Sequence, residues 1–389
     1  MSPITMDCLP LQPAPLSLPK DAPSNPEDSH AMGLTISDDF NDEETLARIH
    51  SKLEHLAHLY ASGKPLFPRR LLADLNAQID QGNEEVHIND LDDVSHTYSL
   101  KVPAWCSDFA RTTYRIGYSS IQNLTCVHPS FPEISLRDTS SITICYTSCA
   151  EYPKAPLAET QRAFEISRRK WEESETCAAL RVHLAHLAKR MVKPVRKIVA
   201  FGLGTMTGLE DDYHFARAHA QHAAVRTMAE VLGSSTSSMV PKWRATNGTL
   251  SSTTSSGSSS IKCYAQDPAY TDVDEEILRS LDITPLEDPK GFLKIDDETL
   301  VFSVSPNVPV KQVVADVCWP AAMIWNTVTP EEAENMRWEK QVRGGEEFWV
   351  VPFTTDPDSA RVRRMVQEYT SVPLKDSNEY FGDLTVYVR

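Results

Sequence analysis

The stretch that most constrains the fold is Ile198-Val199-Ala200-Phe201 followed by Gly202-Leu203-Gly204. A short apolar run that stops at a glycine-rich turn and passes into a helix-period segment over 213–232 predicts a buried parallel strand feeding a crossover helix. Gly202 and Gly204 have no Cβ, so the turn lets backbone come close to another backbone or to a ligand. Downstream, strands are expected over 261–265, 283–286, 300–304 and 321–325, with helices over 272–281 and 310–317. Strands alternating with helices at these lengths predict an α/β class: a Rossmann-like, doubly wound, mostly parallel sheet.

The rest of the chain divides around that unit. Residues 1–40 are rich in proline, small polar residues and acids, and read as a disordered tail. Residues 41–193 read as a mainly helical extension. Leu46, Ile49, Leu53, Leu56 and Leu59 recur at helical spacing over 42–60, and a second helix is expected over 68–79. Strand character appears over 94–102 and 141–147, and 156–191 reads as one kinked helix or two. The α/β domain is expected over 194–330, interrupted at 233–260 by a Ser/Thr-rich insertion whose one large apolar residue is Trp243. Residues 331–389 are expected to complete the sheet, with a helix over 330–342, a strand over 347–353, a helix over 358–369 and a strand over 384–388.

Composition narrows the partners. The formal net charge is −16, which argues against a general nucleic-acid binder, because neutralising phosphates needs a basic face. The short clusters Arg168, Arg169, Lys170 and Arg361, Arg363, Arg364 read as solvated faces. No apolar run reaches the length of a membrane span, and the N-terminus lacks a secretory pattern. The eight scattered cysteines therefore read as reduced thiols, and the chain as cytosolic or nuclear. Three His-x-x-His pairs, His55/His58, His183/His186 and His219/His222, could share a metal on a helical face. No third ligand is visible for any of them, so they read as surface or half-buried histidines. No Walker-type loop, no Gly-x-Ser-x-Gly elbow and no cysteine–histidine signature is present.

The remaining candidate is a cofactor site made of Gly202, Gly204, Thr205 and Asp267. The turn offers backbone N–H groups at a helix N-terminus, and Asp267 ends the second strand, where ribose-binding carboxylates lie in such folds. Glu210, Asp211 and Asp212 sit where a pyrophosphate would lie, and would repel it. S-adenosylmethionine, which carries no phosphate, is penalised less. The alternative is a tight strand–helix turn that binds nothing, with Asp267 accepting backbone hydrogen bonds ahead of Pro268.

Four features occur in order here: Ile198-Val199-Ala200-Phe201-Gly202-Leu203-Gly204, Gln221, Tyr264-Ala265-Gln266-Asp267-Pro268-Ala269-Tyr270-Thr271 and Pro320-Ala321-Ala322-Met323-Ile324-Trp325-Asn326. In this the chain resembles the Sensitivity To Red Light Reduced domain family, as a fungal-type member, over about 196–328. The resemblance implies a regulatory protein that acts through protein partners. The family is linked to circadian and light-dependent gene regulation in plants, and elsewhere to cell-cycle and haem-related regulation. It brings no established reaction. Where members often carry Pro-His-Cys after the fourth strand, this chain has Ser305-Pro306-Asn307, so a His/Cys role does not carry over.

Overall fold

The computed structural model describes residues 42–103, 112–137, 139–148, 154–207, 213–237, 260–329, 338–351 and 353–389. The expected tail at 1–40, Trp243, the acids at 210–212 and the first part of the helix expected over 330–342 lie outside them. The chain separates into two compact units. One comprises 1–151, 307–316 and 329–361, and the other 152–306, 317–328 and 362–389.

The second unit carries the large sheet. Its strands are β5 (Lys197–Phe201), β6 (Lys262–Gln266), β7 (Ile283–Pro285), β8 (Thr299–Ser303), β9 (Ala322–Asn326), β12 (Thr370–Leu374) and β13 (Leu384–Val388). They lie in the order β12-β13-β9-β8-β5-β6-β7. β7, β6, β5, β8 and β9 are mutually parallel; β13 runs antiparallel to β9, and β12 antiparallel to β13. The winding starts at β5 and proceeds outward in both directions, so the order reverses between β5 and β8. This is the expected α/β sheet. Central β8 is buried at every position, as a strand covered on both faces requires.

One face is covered two helices deep. Helix α6 (Tyr213–Ser237) packs on β5 and β6, and α4 (Leu157–Glu172) and α5 (Glu175–Leu187) pack on α6. Because α6 is sandwiched, it is apolar around most of its girth rather than along one stripe, and Ala218, Ala220, Ala223, Ala224, Val225 and Met228 are all buried. Trp171 of α4 donates from Nε1 to Thr227 Oγ1 at 2.9 Å, satisfying its one polar atom inside this layer. The segment 156–191 is two helices, because Ser174 caps α5 by accepting from Cys177 N at 3.0 Å. α6 runs to Ser237, past the expected start of the insertion at 233. Helices α7 (Asp272–Ser280) and α8 (Lys290–Lys294) connect β6, β7 and β8. Both outer strands carry a proline, Pro285 in β7 and Pro373 in β12.

The first unit is built from small pieces. Helices α1 (Glu43–Ala61) and α2 (Arg69–Asp80) accompany two hairpins, β1 (Glu85–Asn89) with β2 (Ser95–Ser99) and β3 (Thr112–Tyr118) with β4 (Ile142–Ser148). A short helix α3 (Ile121–Leu124), a 3-10 turn over Pro132–Leu136 and most of α9 (Val310–Val317) complete it, together with a hairpin of β10 (Glu339–Arg343) and β11 (Glu346–Val350). Asp316 ties it together: Oδ2 accepts from Leu66 N at 2.6 Å and Phe67 N at 3.1 Å, while Oδ1 accepts from Arg361 at 3.0 Å. β10 corrects the sequence reading, which continued a helix through residue 342. Gly344 and Gly345 both take positive φ, +65° and +89°, and turn the chain back into β11. Helix α10 (Ala360–Gln367) follows and leads into β12.

Candidate functional site

The glycine turn leaves β5 with Gly202 at φ +65° and Gly204 at φ +74°, both in the left-handed region that favours glycine. The two glycines do different work. A Cβ on Gly202 would lie 2.6 Å from the Pro306 Cα and N, so this residue is small because the backbone after β8 passes against it. Ser305 N also donates to Gly202 O at 3.3 Å, which continues the β5–β8 contact beyond the strands. A Cβ on Gly204 would meet nothing closer than Ala218 Cβ at 3.9 Å. Gly202 is therefore fixed by packing and Gly204 by conformation alone.

The N–H groups after the glycines are taken by carboxylates. Gly204 N donates to Asp267 Oδ2 at 2.8 Å, and Asp267 Oδ1 accepts from Ala269 N at 2.8 Å. Met206 N donates to Asp274 Oδ1 at 2.6 Å. Asp274 Oδ2 accepts from Thr205 Oγ1 at 2.8 Å and from Thr271 N at 2.7 Å. Thr205 Oγ1 in turn accepts from Thr207 N at 3.1 Å. Gly202, Gly204, Thr205 and Asp267 are thus brought together, around a fully buried carboxylate that the sequence reading did not single out. Its signal was present: Thr271-x-x-Asp274 is a capping box at the start of α7, and both of its hydrogen bonds form. What the sequence does not carry is that the same side chain reaches back to the glycine turn.

Two histidines of α6 close the cluster from the other side. His219 Nε2 donates to Met206 O at 2.9 Å, so its Nδ1 is the acceptor for Ser167 Oγ at 3.2 Å. His222 Nδ1 donates to Ala218 O at 2.7 Å, leaving Nε2 to accept from Tyr270 Oη at 2.9 Å. These are hydrogen bonds that neutral rings can make, and burial favours the neutral form of both rings. They are 2% and 0% exposed, a correction to the surface or half-buried reading of this pair. Burial lowers the pKa of both, and for His222 the result is about 4; the Ala218 carbonyl and Asp274 oppose the shift and His219 adds to it.

The sign of the linkage follows. A histidine whose folded pKa lies below its unfolded value contributes stability that is present above about pH 6.5 and lost as pH falls toward 4. Between pH 7 and 5 the native state is expected to lose about 2 kcal/mol through His222. Denaturant titrations of wild type and His222→Gln at both pH values check this. The variant should show a pH dependence smaller by about that amount, and equal slopes would mean that His222 already titrates normally in the native state.

The other sequence candidates are not assembled into a site. His55 and His186 are exposed, and no group of three potential metal ligands occurs among the described residues. Cys126, Cys177 and Cys263 are buried free thiols. Arg168 pairs with Glu165 and Glu172 along its own helix, the solvated face expected for that cluster. No helix among the described residues is long and apolar enough to cross a membrane.

Gln221 donates from Nε2 to Tyr380 O at 2.9 Å, and Asn326 ends β9, so the resemblance motifs converge on one sheet and its covering helix. No curated protein and no solved structure matches the chain. The family model of the SRR1 domain does, over residues 176–388, from the start of α5 to the end of β13. That span is more than half of the chain and contains the whole seven-stranded sheet, the glycine turn and both carboxylates that hold it: the chain belongs to the SRR1-domain family.

Proposed function

We propose that this chain is a regulatory protein that acts by binding protein partners in the cytosol or nucleus. Its sheet serves as a scaffold, and its glycine turn as an internal joint rather than a cofactor cradle. Membership of the SRR1-domain family supports the regulatory part of the reading, in the circadian and light-signalling sense that the resemblance implies. The observation that carries the rest is the engagement of Gly204 N and Met206 N by Asp267 and Asp274. In a nucleotide-binding turn those N–H groups meet the ligand. Here a ligand would have to displace a carboxylate to reach either of them.

A second reading has topology in its favour. Five parallel strands wound outward from a central one, followed by a reversed strand slotted in beside the last of them, is also how S-adenosylmethionine-dependent methyltransferases lay out their sheets. On that reading Gly202, Gly204, Thr205 and Asp267 would hold the cofactor. The residues as they stand do not fit it: both Asp267 oxygens already accept backbone N–H groups, and Gly202 faces Pro306.

A thermal-shift series with S-adenosylmethionine, nicotinamide dinucleotides and nucleoside triphosphates, each at about 1 mM, separates the two. The melting temperature is expected to stay within about 1 °C of the ligand-free value. A rise of several degrees with one of them, abolished in Asp267→Ala, would replace the scaffold reading by the cofactor reading.

A further inference from the structure

We propose that Asp356, Lys311 and Asp358 form a proton-operated latch in the first unit, which holds the segment 355–359 against α9 while Asp356 carries a proton and loosens it once Asp356 ionises. All three residues are buried, at 6%, 3% and 9% exposure. Two carboxylates thus share one cation inside the protein, and this imbalance favours a neutral form for one of the acids.

The hydrogen bonds decide which one. Lys311 Nζ is ion-paired with Asp358 Oδ1. Asp358 Oδ2 accepts from Thr329 N at 2.8 Å and from Thr329 Oγ1 at 3.1 Å, so this carboxylate has a counter-charge on one oxygen and two donors on the other. Among the described residues Asp356 receives a single donor, Lys311 N at 2.9 Å, from the first turn of α9. Burial pushes its carboxyl up to about 7; the Lys311 charge and N–H oppose the rise, and the negative charge of Asp358 adds to it. The charged groups that face Asp356 are therefore Lys311 from α9 and Asp358 from its own segment. Arg361, the cation that follows along the chain, is occupied by Asp316 and by the carbonyls of Tyr60 and Lys64.

Neutral hydrogen bonds frame the same segment, and none of them titrates. Gln312 Nε2 donates to Pro357 O at 3.0 Å and to Gln122 Oε1 at 2.8 Å, while Gln312 Oε1 accepts from Ile121 N at 3.0 Å. Gln122 Nε2 donates to Asp358 O at 2.7 Å. These contacts position the segment, and Asp356 sets how tightly it is held. With Asp356 protonated, the junction contains one buried ion pair and a neutral acid. With Asp356 ionised, it contains an excess negative charge that water solvates better, so the open segment gains. The closed segment binds the proton more tightly than an open one, whose aspartate titrates at about 3.9. Closure therefore weakens as pH rises from there to about 7 and is level above that. This dependence runs opposite to that of His222, whose contribution is lost toward acid pH.

Hydrogen exchange of the full chain tests the latch, read by mass spectrometry at pH 6 and pH 8 with labelling times scaled for the chemical exchange rate. Peptides covering 355–359 are expected to lose about tenfold in protection between the two pH values. Asp356→Asn keeps the shape of the protonated acid and cannot ionise, so its protection should equal that of wild type at pH 6 and stay there at pH 8. Should that variant fail to accumulate, Asp358→Asn takes its place: it frees Lys311 to compensate an ionised Asp356, and the fall should again vanish between pH 6 and pH 8. Wild-type protection that changes by less than about threefold overturns the latch. So does a tenfold fall that persists in the variant, which would place the titrating group elsewhere.

Discussion

Asp274→Ala is expected to destabilise the second unit by about 3–4 kcal/mol, read from the denaturant midpoint of the full chain. The side chain is fully buried and receives three donors: Met206 N, Thr205 Oγ1 and Thr271 N. Truncation leaves two backbone N–H groups facing a void, and an unmade buried hydrogen bond costs more than a made one contributes. It also opens the α7 capping box. Asp267→Ala provides the contrast. Its carboxylate is partly exposed, so water can replace it at Gly204 N and Ala269 N, and a loss of about 1 kcal/mol is expected. Equal losses in the two variants would mean that the turn does not hang on Asp274. Thr205→Val should fall between them, since it removes one donor to Asp274 and keeps the volume.

The second large effect lies in the first residue after β5. Gly202→Ala is expected to cost about 3 kcal/mol or more, because a left-handed alanine costs about 1–2 kcal/mol and its Cβ also overlaps the backbone that follows β8. The overlap is with Pro306 at 2.6 Å and Ser305 at 2.9 Å, and backbone cannot rotate aside as a side chain can. Gly204→Ala adopts a similar φ without the overlap, so it should lose only about 1 kcal/mol. Comparing unfolding midpoints of the two variants tests the division between packing and conformation. A loss for Gly204→Ala as large as that for Gly202→Ala would contradict it.

The core of the fold was legible in the sequence because local patterns suffice for it. The run Ile198-Val199-Ala200-Phe201 is apolar without alternation, which only a doubly covered strand tolerates, and it is the central β5. Elements with weaker patterns were missed or misread. β1 alternates exposed and buried along Glu85–Asn89, but over five residues with two glutamate or histidine side chains facing out it resembles a polar loop. Glu339–Arg343 has the charge content of a surface helix, and only the Gly344-Gly345 turn that follows marks it as a hairpin arm. β12 carries a proline, which demotes a strand reading everywhere except at a sheet edge, and the edge is a tertiary fact.

The candidate site was half legible for the same reason. The glycines and Asp267 announce a strand–turn–helix junction, and the structure does bring them together. Asp274 lies 68 positions from Met206, and Pro306 more than a hundred from Gly202, so neither partner leaves a local trace. Nor does the depressed pKa of His219 and His222, which comes from their burial between the turn, α4 and the segment before α7.

The prolines at the two margins of the large sheet bear on how this protein can meet others. Leu286 N turns inward to Ala265 O, so in β7 the outward-facing backbone position falls on Pro285, which has no hydrogen to offer. Pro373 likewise removes a donor from β12 at the opposite margin. An incoming extended peptide would find an interrupted ladder on either side, and two copies could not zip these margins together into a longer sheet. Seven strands are therefore a terminus in both directions. On the proposed reading of a protein that works through partners, recognition by this unit falls to side chains on helices and loops rather than to main-chain pairing.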